Sequence, residues 1–103
     1  MDEVSKGQPP GEAKPMLVYF YSESSGRSRR TDGFVAQVLQ RRHNHDTFKL
    51  VRVSVEERPD LAKKFRVETV PTICVVEDRK LQSRIVSPRG AKDLEKQLKP
   101  WLR

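Results

Sequence analysis

The chain has 103 residues, and 21 Lys and Arg against 14 Asp and Glu give a formal charge of +7. That length closes one modest hydrophobic core and excludes a multidomain enzyme or a long repeat array. No apolar run approaches the roughly 20 residues of a membrane-spanning helix, and one cysteine, Cys74, excludes an intramolecular disulfide and with it a disulfide-stapled scaffold.

Residues 1–15 contain Pro9, Pro10, Pro15, Gly7 and Gly11, with Val4 as the single large aliphatic residue after Met1. This stretch is expected to be a flexible leader ahead of one domain spanning 16–103. It lacks the apolar segment of a secretory signal, and together with the lone cysteine this makes a cytoplasmic protein the expectation. Two lysines against three acids give the leader −1, so the other 88 residues carry +8. A domain that basic attracts acidic partners and polyanions at low salt.

Met16–Tyr21 (MLVYFY) is a continuous apolar run rich in β-formers and predicts a buried strand. Ser22–Ser28 is a polar turn around Gly26. Phe34, Val35, Val38 and Leu39 then fall on one face of a helix expected from about Ser28 to Arg42, capped by Ser28 or a neighbour. Gly33 sits inside it at a cost of about 1 kcal/mol relative to Ala, where a bend is expected. A loop (Arg41–Thr47) leads to a second buried strand, Phe48–Val55. Pro59 suits the first turn of a short helix, Asp60–Phe65, stopped by Thr69-Val70-Pro71. Thr72–Val76 predicts a third strand and Glu77–Lys80 a tight turn. Leu81–Val86 predicts a fourth strand, with Leu81, Ser83 and Ile85 facing one way. Ser87-Pro88 is expected to open a last helix that aligns Leu94, Leu98, Trp101 and Leu102, with Pro100 ending or kinking it.

The order is β-α-β-α-β-β-α. A crossover helix between the first two strands makes them parallel, and the last two strands form a hairpin. The predicted class is α/β, a mixed four-stranded sheet flanked by helices.

That order, with Val70-Pro71-Thr72 directly before the third strand, resembles the thioredoxin fold over about residues 16–102, in a minimal form. Phe20–Ser28 lines up with the family's strand end and Trp-Cys-Gly-Pro-Cys turn, and Arg58–Phe65 with its second helix. Val70-Pro71-Thr72 lines up with its cis-proline segment, and Gly33 falls where the family carries a helix-kinking proline. On this resemblance the two redox cysteines are replaced by Ser25 and Ser28, and the proline between them by Arg27. The family's buried acid is Tyr19, and its lysine on the next strand is Arg52. A serine hydroxyl cannot cycle through a disulfide. The resemblance therefore implies a thioredoxin-like protein without dithiol activity. It would be a non-catalytic module whose cis-Pro71 edge holds an extended protein or peptide segment by strand addition, acidic segments being those its charge favours. The groove would be lined by Ser24, Ser25, Gly26 and Arg27, by Thr69, Val70 and Pro71, and by Ser87–Arg89. One alternative is a redox protein of the same family, serving cell redox homeostasis, whose native form carries cysteine at 28, with or without a second at 25. Another is polyanion binding through the basic face.

Other candidates weigh against enzymatic chemistry. Ser25 as a nucleophile would need a positioned base. The only imidazoles, His43 and His45, fall beyond the far end of the helix, so a helix-capping role is expected. Cys74, in the middle of an apolar strand, is expected to be a core residue rather than a redox thiol. His43, His45 and Asp46 offer too few ligands for a metal site, and no cofactor is implied. Arg27, Arg29 and Arg30 gather near a helix N-terminus, which favours anions, whereas Arg41 and Arg42 lie at its other end. No basic run is interleaved with aromatics as single-stranded nucleic acid would require. The sequence does not define the oligomeric state.

Overall fold

The structure, a computed structural model, describes residues 14–40 and 47–102. The expected leader up to residue 13 and the loop residues 41–46, His43 and His45 among them, lie outside the described residues. The elements are β1 (Met16–Tyr21), α1 (Gly26–Leu39), β2 (Lys49–Ser54), α2 (Pro59–Lys64), β3 (Thr72–Glu77), β4 (Lys80–Val86) and α3 (Ala91–Leu98). The sheet order is β2-β1-β3-β4. β1 runs parallel to β2 and antiparallel to β3, and β3 and β4 form an antiparallel hairpin.

β1 is central because Leu17 through Phe20 are all buried, and successive side chains leave a strand on opposite faces. Leu17 and Tyr19 join Val35 and Val38 of α1, Ile73, Val75 and Ile85, and Leu94 and Leu98 of α3 in one core cluster. Val18 and Phe20 join Val53 and Cys74 in a second cluster on the other face, against which Leu61 and Phe65 pack. The Phe20 and Phe65 rings lie 5.2 Å apart, tilted by 54°. Each fully buried Leu contributes roughly 1.5–3 kcal/mol, so α1 and α3 carry most of the burial from outside the sheet. Among the described residues, no helix is long and apolar enough to cross a membrane.

Four expectations need correction. First, β2 is an edge strand rather than a buried one, with Leu50 40% exposed. Second, α1 begins at Gly26, earlier than Ser28, because Ser25 supplies the cap. Third, β4 does not alternate strictly. A bulge between Val75 and Val76 pairs Val75 with Ser83 but Val76 with Leu81, so Gln82 is the extra residue. Leu81 therefore shares a face with Val76 rather than with Ile85, and is exposed. Fourth, Ser87-Pro88 does not open the last helix. Ser87 takes a positive φ of 48° and its amide donates to the Pro71 carbonyl at 2.9 Å. α3 starts only at Ala91, where the Asp93 carboxylate accepts from the Arg89 amide at 2.9 Å. The helix stops at Leu98, before Pro100, yet Trp101 and Leu102 continue the apolar stripe from the following turns.

α1 runs unbroken through Gly33, and a Cβ built there meets nothing within 4 Å. Gly33→Ala should therefore stabilise the protein by about 0.5–1 kcal/mol, read as a raised midpoint in urea denaturation at unchanged slope.

Candidate binding site

The register of β1 with β3, ending at Phe20 opposite Thr72, brings the polar turn after β1 and the Thr69–Pro71 segment before β3 to one end of the sheet. The Val70–Pro71 peptide bond is cis. The Thr72 hydroxyl donates to the Thr69 carbonyl at 2.7 Å, and the Ser87 amide ties the loop after β4 to Pro71. The three segments named from the sequence, Ser24–Arg27, Thr69–Pro71 and Ser87–Arg89, thus belong to one end of the molecule. Val70 itself has no hydrogen-bond partner for its backbone N–H or C=O among the described residues. Its side chain packs on the second core cluster.

The turn is held by hydroxyls. Ser25 Oγ accepts the Ser28 amide at 3.1 Å, capping α1. Ser28 is buried, and its Oγ accepts the Ser22 amide at 3.2 Å. The Ser22 hydroxyl donates to Glu56 Oε2, whose other oxygen accepts from the Glu23 amide at 3.3 Å and the Ser54 hydroxyl at 3.2 Å. These donors, the Ser22 hydroxyl foremost, hold the Glu56 carboxyl below the usual carboxylate range. The sequence offered no signal for Glu56, which follows β2 and reaches the turn only through the parallel pairing of β1 with β2.

Behind the turn, the Tyr19 hydroxyl donates to the Ser28 carbonyl at 2.5 Å, fastening the central strand to the first turn of α1. Arg52 stands opposite Tyr19 in the β1–β2 register. Its guanidinium lies 5.7 Å from the Tyr19 ring centroid and 5.2 Å from that of Tyr21, and pairs with Asp32 of α1 at 2.8 Å. Burial, reinforced by the Asp32 charge, pushes the Tyr19 phenol up to about 12 despite Arg52 nearby. At neutral pH the group beneath the turn is thus a neutral hydrogen-bond donor, unable to accept a proton as a carboxylate would.

Cys74 is fully buried on the second core cluster, away from the Ser25–Ser28 turn, and burial raises its thiol pKa. A neutral, buried thiol is unreactive. Among the described residues, no group of three or more His, Cys, Asp and Glu is placed to hold a metal ion.

The architecture and the turn place this chain among thioredoxin-fold proteins. A family model described as Thioredoxin matches residues 2–100, and the chain belongs to the thioredoxin family. Over 75 residues, 73% of this chain, it is 29% identical to Thioredoxin domain-containing protein 9 of Bos taurus, and it spans about a third (32%) of that relative's length. It is 26% identical to a thioredoxin of Mycolicibacterium smegmatis over 88 residues, 85% of this chain and 79% of that protein. The crystal structure of mitochondrial thioredoxin 3 from Saccharomyces cerevisiae in its oxidised form superposes with a TM-score of 0.72 at 25% identity, covering 86% of this chain and 80% of that one. Within that fold this chain has a single cysteine and no dithiol.

Because the folded state holds the Tyr19 phenol at about 12 against an ordinary value of 10, its contribution to stability is complete below pH 10. That contribution is lost as pH rises through 12. Tyr19→Phe should lower stability by about 1 kcal/mol at pH 7 and remove this part of the alkaline loss, as measured by denaturation across pH 7–12.

Proposed function

We propose that this chain is a non-catalytic thioredoxin-like module that binds an extended protein segment along the Pro71 edge. The observation that carries this is the backbone of Val70, unpaired among the described residues, beside the capped Ser25–Ser28 turn. A free N–H and C=O at the end of a sheet are what an added strand pairs with, and main-chain bonds supply affinity without requiring chemistry at the turn. Thr69 and Ser24 are exposed on either side of this edge, and the exposed Arg27 gives it positive charge, which favours acidic segments. The hydroxyls argue against turnover. Ser25 Oγ is engaged with the helix amide, Ser28 is buried, and the group beneath them is a neutral phenol.

The alternative is thiol redox chemistry in a form bearing cysteine at 28, with or without one at 25. It is favoured by the placement of Ser25 at the N-cap and Ser28 in the first turn of α1, where an N-terminal helix dipole would lower a thiol pKa. Insulin-disulfide reduction separates the two. This chain should show no reduction above the reductant-only rate, and measurable turnover would sink the non-catalytic reading. The Ser25→Cys/Ser28→Cys variant should gain activity if the groove still admits disulfide substrates. Its inactivity would tie the site to protein binding alone.

A further inference from the structure

A second feature adjoins this edge. A pocket of about 410 Å³ lies between α1 and the loop leading to α3, lined by Arg27, Arg30, Thr31 and Phe34 on one side and by Ser87–Arg89 on the other. Among the described residues, no carboxylate lines it. Asp32, the acid next to Arg30 and Thr31 in the sequence, pairs with Arg52 instead, while Asp93 accepts from the Arg89 amide and the Gln97 side chain and lies within electrostatic reach of the Arg89 charge. Arg27 and Arg30 make no ion pair among the described residues. Thr31 carries an independent signal. It is fully buried, yet its hydroxyl has no hydrogen-bond partner, the one buried side-chain polar atom so left among the described residues. An orphaned buried hydroxyl is costly; Thr31 lines the pocket, and a turn about its χ1 is what brings the hydroxyl, closed off from solvent in this structure, to an entering oxyanion.

We infer that this pocket is a phosphoryl-binding site, taking a phosphomonoester or free phosphate between Arg27, Arg30 and Arg89 with the Thr31 hydroxyl as a further donor. One bidentate arginine is enough to pair a carboxylate. Three guanidinium groups and a hydroxyl match an ion with three terminal oxygens and a charge of about −1.5 to −2. The position beside the first turn of α1 adds the favourable end of the helix dipole. The site does not depend on strand addition at Val70, so either can fail without the other.

The test is a backbone-amide NMR titration of the full chain with inorganic phosphate, O-phosphoserine, a phosphoserine tripeptide and, as a monocarboxylate comparison, acetate. Phosphate should bind saturably with shifts centred on Arg27, Arg30, Thr31 and Arg89, and acetate much more weakly. Arg30→Gln should weaken phosphate roughly tenfold, whereas Lys64→Gln on α2, which removes the same charge elsewhere, should leave it unchanged. Thr31→Val provides a separate readout, since it should raise the thermal midpoint while weakening phosphate several-fold. Tighter binding of the tripeptide than of the two small ions would identify a phosphorylated protein segment as the source, and equal or weaker binding a small phosphorylated molecule. Shifts scattered over the basic surface, equal losses in Arg30→Gln and Lys64→Gln, acetate matching phosphate, or a more stable Thr31→Val that keeps full affinity would each overturn the proposal.

Discussion

The hydrogen bond from Tyr19 to the Ser28 carbonyl is the constraint on which the site depends. It joins a central, buried strand of the sheet to the first turn of the helix that packs over it, at the point where the Ser25 cap fixes that turn. A buried phenol can make this bond only while neutral, and its surroundings keep it neutral far above physiological pH. The position of the turn relative to the Pro71 edge follows from this link and from the β1–β3 register. The Ser22–Glu56 contact secures the same turn from the segment that follows β2. Three separate elements thus hold one short polar segment, which is the rigidity a recognition surface needs.

The arrangement also explains how a family scaffold persists without its dithiol. The cap, the buried hydroxyl and the phenol are each satisfied by hydrogen bonds of their own, so the turn needs no thiol chemistry to keep its shape. Arg52 is held between two tyrosine rings and Asp32. A cation there stabilises the aromatic pair and bridges β2 to α1, a structural use of the position.

Much of the fold was legible in the sequence because strong local signals agreed. The apolar run of Met16–Tyr21, the helical spacing of Val35 and Val38, and Pro59 at a helix start each specify their element alone. The misread features arise where tertiary geometry overrides local pattern. Ser87-Pro88 looks like a helix start, but the Ser87 amide is claimed by Pro71 across the sheet end. Leu81 alternates correctly with Ile85, but one inserted residue turns it to the other face. The residues assigned to the edge could be listed only from the resemblance, and Glu56 and Asp32 were invisible because their partners are distant in sequence. Thr31 was readable in principle. It sits three and four residues before Phe34 and Val35, on the apolar stripe of α1, where a polar residue asks for a reason.

The central claim is that the Val70 backbone is a docking edge for an extended chain. The most direct measurement is to select binders from a library of displayed random peptides, then map the tightest peptide by backbone-amide shifts and hydrogen exchange. The account predicts that the Val70 amide becomes protected, with accompanying shifts at Ser24–Arg27. Binders that leave Val70 exchanging at its free rate, or that perturb only the α2 face of the sheet, would contradict it.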